Sequence, residues 1–236
     1  MVDLKKAVTS SAVAFDLQHQ SLRDINHYLH NLPKSVTAVT IDNTNGVHNL
    51  AVGVNSEVTI DILGHAGYYA AGMNCRAHVR ILGNAGPGVA ENMMSGRVDV
   101  RGFASSSAGA SAHGGLLVIH QDGGLRCGIS LKGADIVVGG DVGNFSAFMA
   151  QAGRLVVCGD AGEGLGDSLY EAVIYVRGKI RSLGADACVE SMQPDDYAAV
   201  ARLLKQAGIK ARVEEFKRVA SARTLYHWNA NASQIY

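Results

Sequence analysis

The segment with the most obvious chemical promise is Gly159-Asp-Ala-Gly162-Glu-Gly164-Leu-Gly166, a glycine-rich stretch of the kind that wraps phosphate. Such a loop works where it follows a strand and opens a helix, so that backbone N–H groups and the helix N-terminus face the anion. Here the next structured segment reads as another short strand. Gly159 and Gly166 also belong to columns that recur along the chain without such a loop, and no GxxxxGK[ST] sequence is present. The carboxylates Asp160, Glu163, Asp167 and Glu171 gather around the same stretch. They could form an acid/base pair or a cation site, and turn chemistry explains them equally well.

The other reactive side chains are scattered. His27 and His30 are three residues apart on an expected helix, without the Glu of an HExxH or Glu-x-x-His set, which reads as a solvated helix face. His65 and His113 fall in turns of different repeats. Ser105-Ser106-Ser107 lacks the GxSxG elbow that exposes a nucleophile. Cys75, Cys127, Cys158 and Cys188 form no CxxC pair and show no zinc or iron–sulfur spacing. Cys127 and Cys158 read as buried small apolar residues. No catalytic, cofactor-binding or metal-binding residue is therefore assigned to this chain.

Composition narrows the partners. Lys plus Arg and Asp plus Glu are each 21, giving a net charge of zero, which argues against nucleic acid. Charged residues are only 18% beside 47% hydrophobic ones, so part of the surface is expected to lie against other subunits. The apolar runs are too short to span a membrane, and Met1 to Ala14 lacks the continuous apolar stretch of a signal peptide, which makes the cytoplasm the expected compartment. Asn144-Phe-Ser146 and Asn231-Ala-Ser233 match the glycosylation pattern only by chance on that reading.

What organises these residues is a repeat. Strand-like runs end in glycine at Gly64, Gly83, Gly102, Gly140, Gly159 and Gly178, in steps of 19 residues with Gln121 filling the double step. Four residues before each of these positions stand Ile60, Val79, Val98, Leu117, Ile136, Leu155 and Ile174. Two before stand Ile62, Ile81, Val100, Ile119, Val138, Val157 and Val176. Residues two apart share one face of a strand. A third column is only Ala or Gly: Ala71, Ala90, Gly109, Gly128, Ala147, Gly166 and Ala185. A fourth is Ala77, Gly96, Gly115, Ala134, Gly153 and Ala172. Nineteen residues cannot hold a helix pair, and one such unit cannot bury its own apolar face, whereas stacked units can. Seven coils at the strand spacing make a stack roughly 34 Å tall. The fold expected is all-β: a single-chain, right-handed parallel β-helix of about seven 19-residue coils. The small-residue columns mark its corners. A leucine-rich horseshoe is excluded by the missing Leu/Asn skeleton.

Three regions follow: residues 1–57 as an N-terminal helix and capping coil, 58–190 as the parallel β-helix, and 191–236 as a C-terminal helix and tail. Ser21 is the expected N-cap of a helix through Leu22, Ile25, Tyr28, Leu29 and Leu32, stopped by Pro33. Ile41 lies one period before Ile60 but Asn43 takes the second aliphatic position, so residues 36–57 read as a degenerate coil. Pro194-Asp195-Asp196 opens a second capping helix with Tyr197, Val200, Leu203 and Leu204 on one face, closed by Gly208. The tail beyond Phe216 carries Tyr226, His227, Trp228 and Tyr236, an aromatic set suited to a cap or a partner.

The repeat text Gly64-His-Ala-Gly67-Tyr-Tyr-Ala-Ala-Gly72-Met, Gly83-Asn-Ala-Gly86 and Gly159-Asp-Ala-Gly162 resembles the glycine-repeat (GXGXG) domain at the C-terminus of the glutamate synthase large subunit. That domain is a right-handed β-helix, and a similar one occurs in one of the subunits of formylmethanofuran dehydrogenase. The segments Ala90-Glu-Asn-Met-Met-Ser-Gly96, Ala112-His-Gly-Gly115, Ser146-Ala-Phe-Met-Ala-Gln-Ala-Gly153, Ser182-Leu-Gly-Ala-Asp186 and Ser221-Ala-Arg-Thr-Leu-Tyr-His227 are most similar to the stand-alone small-subunit form found in N-methylglutamate synthase. The resemblance implies a non-catalytic structural subunit in a hetero-oligomer, beside a class II amidotransferase-like subunit and an FMN- and iron–sulfur-containing subunit. It implies no cofactor on this chain and a part in making N-methylglutamate from glutamate and methylamine. Two alternatives stand beside it: membership of another glutamate-synthase-type or formylmethanofuran-dehydrogenase-type complex, or a ligand site at the coil edges around Asp160, Glu163, Asp167 and Glu171. Gln121 in place of Gly, and Ile180/Arg181 in place of small residues, depart from the repeat.

Overall fold

The structure, a computed structural model, describes residues 11–223. Alternating aliphatics over four-residue runs make strands, and glycine and αL corners end them before a helix can start. In chain order these are β1 (Ser11–Asp16), α1 (Leu22–His30), β2 (Val36–Asp42), β3 (Thr59–Ile62), β4 (His78–Ile81), β5 (Arg97–Val100), β6 (Leu116–Ile119), β7 (Lys132–Val138), β8 (Ala152–Val157), β9 (Val173–Val176), β10 (Ala187–Glu190), α2 (Pro194–Ala207) and β11 (Lys217–Ser221). All eleven strands lie in one sheet, ordered β1 to β9 and then β11 and β10. Pairing is parallel from β1 to β9, one coil above another. The chain is a β-solenoid of about seven turns.

Both aliphatic columns stack in the expected register: Ile60 on Val79, Val79 on Val98, and onward to Leu155 on Ile174, with Ile62 to Val176 running alongside. All fourteen of these side chains are buried inside the coils. The third column is the corner. Ala71, Ala90, Gly109, Gly128, Ala147 and Gly166 have φ between 53° and 69°, a conformation that penalises larger side chains. Ala185, the last of the set, does not share it; Asp186 takes the positive φ instead.

The glycine column has a different cause. His65, Asn84, Asp122, Asp141 and Asp160 each follow a glycine-column position and accept the backbone N–H of the equivalent residue one coil later, at 2.7 to 3.1 Å. A Cβ at Gly83, Gly102, Gly140, Gly159 or Gly178 would collide with that accepting side chain. Gln121 is allowed because the preceding coil has Phe103 at the acceptor position, and Phe103 is half-exposed and cannot accept. The departure in the repeat is therefore a paired one.

The first coil corrects the expected register. Val39 pairs with Ile60 and Ile41 with Ile62, 21 residues on, while Val47 bridges Ala66 at the regular 19. Two extra residues are accommodated in the turn Asp42-Asn-Thr-Asn-Gly46, where Asn43, Asn45 and Gly46 all have positive φ. Val39 and Ile41 are fully aliphatic members of the two columns, and both are buried. The coil is lengthened, not degenerate.

The two ends are finished differently. Helix α1 starts at Ser21, whose hydroxyl accepts the Asp24 N–H at 3.1 Å, and it buries Ile25 and Leu29 against the solenoid core. Asn26 donates to Asn49 O at 2.7 Å and accepts from Ala51 N–H at 3.0 Å, while His30 Nε2 lies 2.7 Å from Val52 O. These side chains satisfy backbone groups at the open end of the first coil. At the far end β11 reverses direction, pairing antiparallel with β9 and with β10. Helix α2 forms where the sequence puts it and ends at Gly208 with φ 69°, but it covers a flank of the stack rather than its end. Val200, Leu203 and Leu204 are buried there, and Tyr197 is exposed. The aromatic residues Tyr226, His227, Trp228 and Tyr236 lie outside the described residues.

Candidate functional site

Several of the side chains singled out for chemistry, Asp160, Asp167 and His65 among them, are spent on building coils. Asp160 accepts the Lys179 N–H at 2.7 Å, Asn144 accepts the Glu163 N–H at 2.9 Å, and Asp167 accepts both the Ser168 hydroxyl at 2.9 Å and the Ala185 N–H at 3.4 Å. Gly162 lies so close above Gly143 and Asn144 that a side chain there would overlap backbone. The glycine-rich stretch Gly159–Gly166 is one more coil edge, stacked on the coil before. Asn144 and Ser146 are similarly committed: Ser146 is buried and donates to Gly143 O at 2.8 Å.

His65 accepts the Asn84 N–H through Nδ1 at 2.9 Å. His113 is exposed two coils further on, and Ser107 occupies a corner at φ 60°. His27 is exposed on α1 while His30 turns to Val52 O. Cys127 is buried, and burial pushes its thiol up to about 12; burial also pushes Cys158 up to about 11. Among the described residues no group of three or more His, Cys, Asp or Glu is arranged to hold a metal. No described helix is long and apolar enough to cross a membrane.

The surface that sequence reasoning missed is the outward face of the strands. The outward residue of successive strands reads Asp61, Arg80, Asp99 and then Val118, Val137, Val156, Tyr175. The apolar half is roofed by α2, forming a second core outside the coils with Val200, Leu203, Leu204, Ala207 and Phe216. Tyr175 donates its hydroxyl to Asp196 at 2.7 Å, and both burial and that carboxylate push Tyr175 ionisation to higher pH. Arg218 adds a bond to the same carboxylate at 3.3 Å.

Where the charged half meets the roof, Asp99 is buried. Arg97 grips it through two bonds of 2.6 and 2.7 Å, and His78 Nε2 lies 2.6 Å from Oδ2. Burial alone would raise the carboxyl; the bonds to Arg97 and His78 outweigh it and hold Asp99 well below the usual carboxylate range. The third arm of Arg97 donates to Gln206 O at 3.0 Å, near the end of α2. His120 sits 3.8 Å from Asp99 and 3.0 Å from an Arg101 nitrogen, and burial followed by Arg101 lowers its pKa. The cluster ties β4, β5 and β6 to the helix. Past the helix end, Ile209 packs over the flank, where a Cβ at Gly139 would meet it. An open groove of about 710 Å³ remains there, edged by Arg177, Lys205, Lys210 and Arg212 over Leu204 and Ile209.

The class of protein defined by this geometry is a parallel β-solenoid with a helix on its first coil and a helix-roofed flank. Among curated proteins the chain is similar to Protein GlxC of Rhizobium meliloti (strain 1021), 50% identical over 73 residues. The match takes in 30% of this chain and 32% of that protein, about a third of the relative's length. No family model and no solved structure matches the chain.

Proposed function

We propose that the chain is a structural subunit of a glutamate-synthase-like complex, without catalytic groups of its own. The observation that carries this reading is the continuous parallel stacking from β2 to β9, with one irregularity between Lys132 and Asp135, held by buried aliphatic stacks within and by side-chain-to-backbone bonds along most of the glycine corner. A body built so is stiff, because no coil can shift without breaking bonds to both neighbours. Asp160, Asp167 and His65, three of the polar side chains suited to catalysis, are instead acceptors for the next coil. The glycine-repeat text supports the choice of complex, and the partial match to Protein GlxC supports a relationship to proteins sharing this segment.

The finer form of the proposal is N-methylglutamate synthase. The chain would hold a class II amidotransferase-like subunit and an FMN- and iron–sulfur-containing subunit at fixed separation, so that amine passed between their sites does not escape. The flavin and the cluster belong to that partner on this reading. Two of the chain's thiols do not fit a cluster: Cys127 and Cys158 are packed in separate apolar environments that disfavour the thiolate needed to ligate iron. Removing the chain from its native cells tests the proposal. The partners are expected to retain their cofactors but to lose stable association and the coupled conversion of glutamate and methylamine to N-methylglutamate. Partners that assemble and couple normally without the chain would overturn it.

A further inference from the structure

We propose that the basic groove beside α2 seats an acidic, amphipathic segment of another protein subunit. This rests on the reading of the chain as part of a larger complex and assigns the surface through which it is held.

Charge pairing singles the groove out. Along the same flank most arginines have a carboxylate partner: Arg80 has Asp61, Arg97 has Asp99, Arg154 and Arg202 share Asp135, and Arg218 has Glu190 and Asp196, while Arg101 meets His120. In the groove Arg177, Lys205 and Lys210 have no side-chain ion pair or hydrogen bond among the described residues. The one acid lining it, Glu215, is engaged with Arg212 at 3.5 Å. The chain carries equal numbers of acidic and basic residues, so this local excess comes from placement rather than composition. Unanswered cations along one strip attract a complementary negative surface and set its orientation.

The floor adds the second requirement. Leu204 is buried at its base, and Ile209, Ala211 and Val213 are half-buried, continuous with the second core under α2. An apolar floor beneath a cationic rim fits a helix or extended strip with apolar residues on one side and carboxylates on the other. The groove is open and its cations are spread from the end of β9 to beyond α2, whereas a small anion is held in an enclosing pocket by converging donors. The chain's own residues 224–236 contain no Asp or Glu and offer no acidic side chain to the rim.

The test uses the tagged full-length chain in its native cells. Three forms are compared: wild type, Lys205→Glu with Lys210→Glu, and a control reversing the exposed Lys34 and Lys132 elsewhere. Recovered subunits are quantified by mass spectrometry, and a photo-crosslinker at exposed Ala201 reports contact from an otherwise unaltered groove. The groove reversal is expected to lower recovery of one subunit about tenfold or more at physiological ionic strength, with the control unchanged. The crosslink should fall on a peptide of that same subunit in which Asp or Glu flank apolar residues. Unchanged recovery on groove reversal, or a crosslink to a second copy of this chain, to residues 224–236 or to no protein, would overturn the assignment while leaving the structural-subunit reading intact. A wild-type chain that recovers no partner subunit overturns both.

Discussion

Phe103 and Gln121 should behave as one unit, and separating them measures what the glycine corner is worth. At Gly102, Gly140, Gly159 and Gly178 a Cβ would fall against Oδ1 of Asn84, Asp122, Asp141 or Asp160, each of which accepts a backbone N–H one coil on. Only between Phe103 and Gln121 is that arrangement absent in the run from Gly83 to Gly178. Gln121→Gly alone is expected to cost about 0.5–1 kcal/mol, because it loosens the unfolded chain without gaining a contact. Phe103→Asn alone places an acceptor beneath the Cβ of Gln121, where it cannot reach the Asp122 N–H. It also gives up the half-buried ring, for a cost of about 1 kcal/mol. The double substitution frees the acceptor and should regain a net bond of about 1 kcal/mol together with the relief of overlap. The two changes should then be coupled by about 1.5 kcal/mol in a double-mutant cycle read by urea unfolding. Additivity within about 0.5 kcal/mol would refute the account of why glycine recurs at this corner.

Two further outcomes follow from the buried groups. Asp99→Asn should destabilise the protein by about 2 kcal/mol near neutral pH, by weakening charge-assisted bonds to Arg97 and His78. Because the folded carboxyl lies below its unfolded value of about 3.9, that stability is present above this value and is lost as pH falls through the folded pKa. Unfolding midpoints of wild type and variant should hold a constant gap down to about pH 5 and converge below about pH 4; a gap that widens in acid would contradict the assignment. Thiol titration at mildly alkaline pH should modify the half-buried Cys75 and Cys188 in the folded protein, and Cys127 and Cys158 only after denaturation. Rapid reaction of all four would show that the coils open more readily than the packing allows.

The inner face of the solenoid was readable because a buried column tolerates only what fits its neighbours above and below. Ile60 to Ile174 and Ile62 to Val176 repeat for that reason, and so does the Ala/Gly corner with its positive φ. The first coil escaped because a fixed period of 19 was carried through a turn that holds two more residues. Asn43, Asn45 and Gly46, close together and all tolerant of positive φ, were the sign that a turn lay there rather than a failed strand. The acceptor ladder escaped for another reason. His65, Asn84, Asp122, Asp141 and Asp160 share a function but not a residue type, so identity in a column did not reveal it.

The outward face shows how a repeat protein records where it is covered. Interior columns must be apolar in every coil, so they say nothing about neighbours outside. An outward position has no such obligation, and a change in its character along the stack marks a change in what lies over it. Asp61 and Arg80 answer each other across β3 and β4, and Asp99 is answered by Arg97 on its own strand and His78 on β4; Val118, Val137, Val156 and Tyr175 are answered by α2. Arg154, Arg202 and Arg218 are neutralised within the chain, whereas Arg177, Lys205 and Lys210 stand together above an apolar floor. A strip whose own chain supplies its apolar base but not its counter-charges is complete only with a second, acidic surface laid against it.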